Sequence, residues 1–335
     1  MADTRVGLNP ERMVRLMREA VDRLKLDLSG AVVLTEAASG AYVVTPILAA
    51  LAGARQVRAV TRDTRYGTAD EIWARTRKLA TLAGCESRIE FLREKTSAAL
   101  TEADIITNSG HVRPLDRAAV EQMKPGAVIG LMYEAWEFRP GDLDLEACRH
   151  RGIPVVGVNE RHPGIDVFGY LGIMAVKLLL DAGVSVYRTR ILLLCDNPFV
   201  DYIVAGLRGA GATVDVAERM PGPGAGSEAA YDAVVVALKP GPGPVLEAAD
   251  AAAIASRWPG AVVAQYWGDF DRQPFVDLGI ELVPASAPGA GHMGVLPSGP
   301  GPEAIVRLQS GGLKAAEVAW RKSDEVAQRE FAQPL

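Results

Sequence analysis

The sequence is poor in the features that define several common protein classes. Its three cysteines, Cys85, Cys148 and Cys195, are widely spaced, which fits a reduced cytoplasmic protein and offers no metal framework, so no metal site is expected. It has no block of lysine and arginine, and its net charge of −5 gives no reason to expect a nucleic-acid partner. No segment is long and apolar enough to span a bilayer; the nearest, "VFGYLGIMAVKLLLDAG", is short and interrupted. The opening residues lack the apolar core of a signal peptide, so a cytoplasmic protein without a membrane partner is expected. There is no P-loop, no GxSxG elbow and no CxxC pair.

What remains is an ordinary globular composition, 49% hydrophobic and 23% charged, in a chain long enough for two domains. The first element reads as an amphipathic helix. Asn9 is its candidate N-cap, Pro10 lies in the first turn, and Met13, Leu16, Met17, Ala20 and Leu24 share one face. From residue 31 on, apolar runs of four to six residues alternate with helical patterns. Candidate strands are 31–35, 57–61, 89–92, 104–107, 127–132 and 154–158. Continuous apolar runs suit parallel strands covered by helices on both faces.

The plan then repeats. "VVLTEAASGAYVV" and "LLLCDNPFVDYIV" pair Glu36 with Asp196 and Tyr42 with Tyr202. "MKPGAVIGLMYEAWE" answers to "RWPGAVVAQYWGDFD", and "GIPVVGVNERHPG" to "GIELVPASAPG". We therefore expect an α/β protein of two Rossmann-like, doubly wound, parallel-sheet domains related by internal duplication. The expected boundaries are 1–165, with the N-terminal helix, and 166–335, beginning with a long apolar crossover helix. The Gly/Pro-rich "MPGPGAGSE" at 220–228 reads as a loop within the second domain, and a later helix is expected to start near Pro302.

One stretch is more specific. In "EADIITNSGHVRPLDRAAVEQMKPGAVIGLMYEAWEF" a strand ends in a small polar loop, a helix follows, and "MKPGAVI" leads into the next strand. This resembles the nucleotide domain of D-2-hydroxyacid dehydrogenases and adenosylhomocysteine hydrolases, where an "MKPGA" turn precedes the strand beside the nicotinamide. The resemblance implies two domains, a nicotinamide cofactor (NAD or NADP) and an acid/base histidine, whose loose counterpart here is His292 in "PASAPGAGHMG". The chain departs from that pattern at the phosphate loop. "EAASGA" keeps Gly40 alone and "CDNPFVD" has no glycine, so neither half carries GxGxxG.

Ligands of open parallel sheets bind beyond the carboxyl ends of the strands. In the first half those ends supply Glu36, Ser39, Gly40, Asp63, Asn108, Ser109 and Tyr133 as candidate cofactor contacts, with Asn159, Glu160 and His162 nearby. Asp63 ends the second strand, where a carboxylate commonly meets a ribose; a helix cap explains it as well. Candidate catalytic residues are His292, His111, Glu134, Asp196 and Asn197; Lys239, Tyr266, Trp267 and Asp269 lie at further strand ends. An imidazole suits proton transfer near neutral pH. Glu134 and Asp269 occupy matching strand ends, where they either orient a histidine or take a proton, or serve as ordinary hydrogen-bonding or surface acids. Tyr133, Trp136, Tyr266 and Trp267 are either stacking surfaces or the rim of a core. His150 reads as the basic end of a helix.

The first functional reading is an NAD(P)-dependent oxidoreductase acting on a small-molecule substrate in an interdomain cleft, with a homodimer as the expected assembly. The second is an S-adenosylmethionine-dependent methyltransferase using the first Rossmann-like unit, whose acid, small-residue loop and acid-tipped second strand also match that fold. The third is a non-catalytic ligand-binding protein on the same scaffold.

Overall fold

A computed structural model describes residues 6–222 and 230–335. Of the Gly/Pro-rich run at 220–228, residues 223–228 fall outside the described residues. The chain divides into two compact units, one running to Val167 and resuming as Gly301–Leu335, the other Phe168–Pro300.

The first unit opens with α1 (Pro10–Leu24). Asn9 caps it by accepting the Arg12 N–H at 3.1 Å, and Met13, Met17, Ala20 and Leu24 are buried, as the periodicity requires. The unit continues as β1 (Val32–Glu36), α2 (Val44–Leu51), β2 (Gln56–Val60), α3 (Ala69–Ala83), β3 (Ile89–Leu92), α4 (Ser97–Glu102), β4 (Ile105–Thr107), α5 (Arg117–Gln122), β5 (Val128–Gly130), α6 (Leu145–Arg151) and β6 (Val155–Val158). The second unit holds α7 (Tyr170–Asp181), β7 (Arg190–Leu194), α8 (Val200–Gly209), β8 (Thr213–Ala217), β9 (Ala233–Ala237), α9 (Ala248–Arg257), β10 (Val262–Trp267), α10 (Gln273–Asp277) and β11 (Leu282–Val283). The chain then returns to the first unit as α11 (Glu303–Trp320), α12 (Glu325–Phe331) and β12 (Ala332–Pro334).

The first sheet has the order β12-β6-β5-β4-β1-β2-β3, and the second β11-β10-β9-β7-β8. Strands β1 to β6 are parallel, as are all five of the second sheet. Matching β7, β8, β9, β10 and β11 to β1, β2, β4, β5 and β6 superimposes the two orders. Among the described residues the second sheet lacks counterparts of β3 and of β12, the strands at the two edges of the first sheet. The registers agree as well: Val33 pairs with Val57 and Ile105, and Ile191 with Val214 and Ala233. The internal echo in the sequence is thus an echo in topology.

Two features depart from the sequence reading. Strand β12 runs antiparallel to β6, so the first sheet is mixed rather than wholly parallel. Residues 301–335, expected in the second domain, belong to the first unit. The reason is packing: α11 buries Ile305, Val306, Leu313 and Ala316 against β4, β5, β6, α1 and α2. Small residues let it approach the sheet closely. A Cβ on Gly130 would stand 3.0 Å from the Ala316 Cβ, and one on Gly312 would stand 2.7 Å from the Met132 sulfur.

Among the described residues, no helix is long and apolar enough to cross a membrane. The three cysteines are buried thiols, each pushed up to about 11 by burial.

Candidate functional site

In the first sheet the chain reverses its winding between β1 and β4, which makes their carboxyl ends the topological switch point. A connected polar network sits there. Thr107 donates to the Thr35 hydroxyl at 2.8 Å, which leaves Ser109 to donate to Thr107, also at 2.8 Å. Asn108 Nδ2 donates to the Tyr133 hydroxyl at 2.7 Å, which in turn donates to Asp142 at 3.2 Å. Arg113 holds the same Asp142 oxygen at 2.7 Å. Asn108 is 1% exposed, and its Oδ1 has no hydrogen-bond partner. A buried acceptor left unpaired costs about 1–3 kcal/mol, so this atom points to a donor the protein itself does not supply.

Glu36, the last residue of β1, reaches across the switch point and accepts the His111 backbone N–H at 2.8 Å. The carboxylate packs so close to the loop that a Cβ on Gly110 would stand 3.2 Å from Oε2. Burial pushes the Glu36 carboxyl up; the His111 N–H and the guanidinium charges of Arg113 and Arg62 oppose it. Arg62 also ties down the loop, donating to the carbonyls of His111 (3.1 Å) and Arg113 (3.3 Å). Its own backbone N–H faces His111 Nδ1 at 3.4 Å, which makes Nδ1 the acceptor and Nε2 the proton-bearing nitrogen of a neutral ring. Burial, and then the charge of Arg62, lower the His111 pKa, so the neutral form dominates at pH 7.

The β1–α2 loop carries the remaining candidates. Ser39 is extended and makes no capping bond, and Gly40 takes φ +63°, a conformation that favours glycine. A 3-10 turn, Gly40–Val43, then feeds α2. Within it, Tyr42 is pushed up to about 12 by burial and by the charges of Glu36 and Glu160. At the end of β2, Asp63 accepts the Ala69 N–H at 2.7 Å and so caps α3 beside the Thr68–Glu71 capping box. Its side chain is 68% exposed and lies 3.8 Å from Arg93.

A second cluster lies beyond β5 and β6. Glu134, 1% exposed, accepts from Trp136 Nε1 (2.6 Å), the Glu160 N–H (3.2 Å) and Gln333 (3.3 Å). Burial pushes Glu137 up to about 7, and Glu160 is driven well up by burial and then by the charges of Glu137 and Glu134. Asn159 and His162 serve the scaffold: Asn159 donates to the Glu330 carbonyl, and His162 packs on Phe331 with ring centroids 4.2 Å apart.

The second unit repeats the first device at its own switch point. Asp196, at the end of β7, accepts the Lys239 backbone N–H at 2.9 Å and an Asn197 amide N–H at 3.0 Å. Asn197 also donates to the Ala237 carbonyl at 2.7 Å. Asp269 accepts the Gly291 N–H at 2.9 Å, steadying the loop that carries His292. His292 is exposed, with Nδ1 3.0 Å from the Ala290 carbonyl. Tyr266 and Trp267 are core residues. The Tyr266 hydroxyl donates to Leu171 from a fully buried ring, and Trp267 packs on Phe199 at 5.2 Å. His150 lies in the last turn of α6, as read.

The structure therefore gathers Glu36, Asn108, Ser109, His111 and Tyr133 around one switch point, and Asp196 and Asn197 around the other. Glu134 joins a separate acidic cluster, and Asp63 acts as a cap. Sequence reasoning missed Arg62, Arg113, Asp142 and Glu137. Arg62 had one signal: an arginine at a strand end next to Asp63 carries positive charge where a glycine-poor loop cannot. Among the described residues, no group of three or more His, Cys, Asp or Glu side chains is placed to hold a metal ion.

No protein family model matches the sequence, and comparison with curated proteins gives no significant match. Solved structures do share the fold. A dipicolinate synthase component from Bacillus halodurans is 14% identical with a TM-score of 0.53, over 85% of this chain and 96% of its own. Its namesake from Bacillus subtilis is 12% identical with a TM-score of 0.53, over 88% and 99%. NAD-dependent formate dehydrogenase from Staphylococcus aureus, solved in complex with NAD, is 14% identical with a TM-score of 0.51, over 90% and 97%. The chain thus has the two-unit Rossmann-like fold of these proteins, as the motif resemblance implied.

Proposed function

We propose that this chain is a nicotinamide-dependent oxidoreductase of a small molecule, with the dinucleotide held at the carboxyl ends of β1, β2, β4 and β5. The observation that carries the reading is Asn108. Its unpaired, buried Oδ1 lies at the end of β4, next to the strand that follows the "MKPGA" turn. A carboxamide or ribose hydroxyl satisfies such an acceptor. Tyr133, itself fixed by Asp142, orients the Asn108 amide.

The phosphate half fits less conventionally. Only Gly40 opens the β1–α2 loop, so fewer backbone N–H groups approach a diphosphate. Arg62 and Arg113 supply positive charge in its place. At the end of β2, Asp63 favours a ribose hydroxyl, whereas the neighbouring Arg62 and Arg93 favour a 2′-phosphate, so both dinucleotides belong in the test. When bound, the cofactor supplies the hydride donor or acceptor. The residues of the chain bind, orient and donate: neutral His111 offers its Nε2 proton to a substrate oxygen, and the loop bonds from Arg62 keep that ring in place. The dehydrogenase-like fold supports this reading. A second parallel-sheet unit does not support the methyltransferase alternative.

Calorimetric titration of the full chain with NAD, NADP and S-adenosylmethionine tests the proposal. Binding of a nicotinamide dinucleotide, lost in Asn108→Leu, is the expected result. Binding of S-adenosylmethionine alone, or of none of the three, refutes it.

A further inference from the structure

At each switch point the backbone donor nearest a prospective anion is already taken by a carboxylate of the protein. Glu36 accepts the His111 N–H at 2.8 Å, and Asp196 accepts the Lys239 N–H at 2.9 Å. The two acids pair in the sequence echo; Glu36 is the last residue of β1 and Asp196 lies two residues beyond β7, and each bonds the loop after the neighbouring strand, β4 or β9. The two latches differ in their surroundings. Asp196 is exposed and receives a second bond from the neighbouring Asn197 amide. Glu36 is 6% exposed, its partner loop is held by Arg62, and the charges of Arg62 and Arg113 bear on it. Burial first, and then the charges of Glu36 and Glu160, keep Tyr42 a neutral phenol.

We infer that Glu36 is an internal stand-in for a ligand phosphate, which holds the loop after β4 until the diphosphate of a dinucleotide displaces it. Displacement exchanges one anion for another within the field of the same two guanidinium groups. The His111 N–H, released by Glu36, becomes the backbone donor that the missing glycines do not provide. The latch also sets selectivity: a ligand without phosphate has nothing to offer the two arginines and leaves Glu36 in place. The inference rests on the reading of the first unit as the dinucleotide site.

The test uses the full chain, the Glu36→Gln variant, and three probes: NAD, inorganic pyrophosphate and adenosine. The glutamine keeps an acceptor for the His111 N–H and removes the negative charge, so the loop stays ordered. Both phosphate-bearing probes should bind about tenfold tighter or better, from like-charge repulsion removed at close range in a partly desolvated site. Adenosine affinity should not change. If the wild type binds NAD and Glu36→Gln binds it no better, the latch is wrong and the oxidoreductase reading stands. If neither protein binds NAD but the variant gains pyrophosphate, the latch stands and the cofactor reading falls. If neither phosphate-bearing probe binds either protein, both fall. Should Glu36→Gln not fold, hydrogen exchange at the His111 amide of the wild type decides. NAD should alter its protection, and unaltered protection at saturating NAD overturns the latch.

Discussion

The buried acids beyond β5 and β6 make stability depend on pH in a direction opposite to that of a salt-bridged carboxylate. Glu137 sits in the 3-10 turn Ala135–Glu137 and is pushed from 4.5 up to about 7, by burial first and by the Glu134 charge, against the Glu134 N–H and Arg139. A carboxyl whose folded pKa is raised contributes stability that is fully present below its unfolded value and is lost as pH rises through its folded value. The window is therefore 4.5 to about 7. At about 1.4 kcal/mol per pH unit, complete ionisation of this one group costs the folded state about 3 kcal/mol. Glu160 titrates with it and shifts the same way, so the window belongs to the pair. Glu137→Gln stays neutral and still accepts the Glu134 N–H, a bond of 3.2 Å in the wild type. It should match the wild type near pH 4.5 and exceed it by up to about 3 kcal/mol near pH 8. Urea unfolding followed by tryptophan fluorescence at a series of pH values measures this, with Trp136 as a local reporter through its bond to Glu134. A wild type equally stable at about pH 5 and about pH 8, or a variant that keeps the wild-type slope, would show that these carboxyls are solvated and the reasoning wrong.

Other substitutions probe other parts of the molecule. Asp63→Ala removes the cap on the Ala69 N–H and should cost about 0.5–1 kcal/mol in a thermal or urea melt; an unchanged melt means the cap is not formed. Arg62→Ala should raise the His111 pKa toward its ordinary 6.5, because the Arg62 charge is one of the two causes holding it down; an imidazole NMR titration that does not move excludes that coupling. Gly172→Ala should destabilise the second unit by about 1–3 kcal/mol or more, since its Cβ would stand 2.4 Å from the Tyr202 carbonyl oxygen and 2.7 Å from the Gly206 Cα, backbone atoms that cannot turn aside. A Tm within a degree or so of wild type would mean that α7 and α8 cross less tightly than described.

The strands were readable because both faces are buried. Runs such as Val32–Leu34 and Val234–Val236 leave no polar position for a surface strand or an amphipathic helix to use. The cap of α1 was readable because Asn9 and Pro10 act within one turn. The seat of α11 was not, since a helical period tells which side is buried but not against which sheet. Three-residue β12 gives no periodicity at all, and its pairing with β6 depends on contacts made far along the chain. The site divides the same way. Strand ends are visible in a sequence, so Asn108, His111 and Tyr133 can be singled out as candidates from it. The bond from Glu36 to the His111 N–H spans 75 positions and has no local signal, and Arg113 and Asp142 are bound to the site only through the fold.

The return of residues 301–335 to the first unit bears on how the protein is made. Phe168–Pro300 is a continuous stretch and has all its strands once that stretch leaves the ribosome. The first unit, though its strands β1 to β6 are translated earlier, waits for α11 to cover β4, β5 and β6 and for β12 to close the edge of β6. Until then a face that will hold Ile305, Leu313 and Ala316 lies open, together with a strand edge able to pair with another chain. Vectorial synthesis usually lets the earlier domain finish first. Here the later unit has its whole stretch of chain first, and the earlier one closes only when α11 and β12 follow.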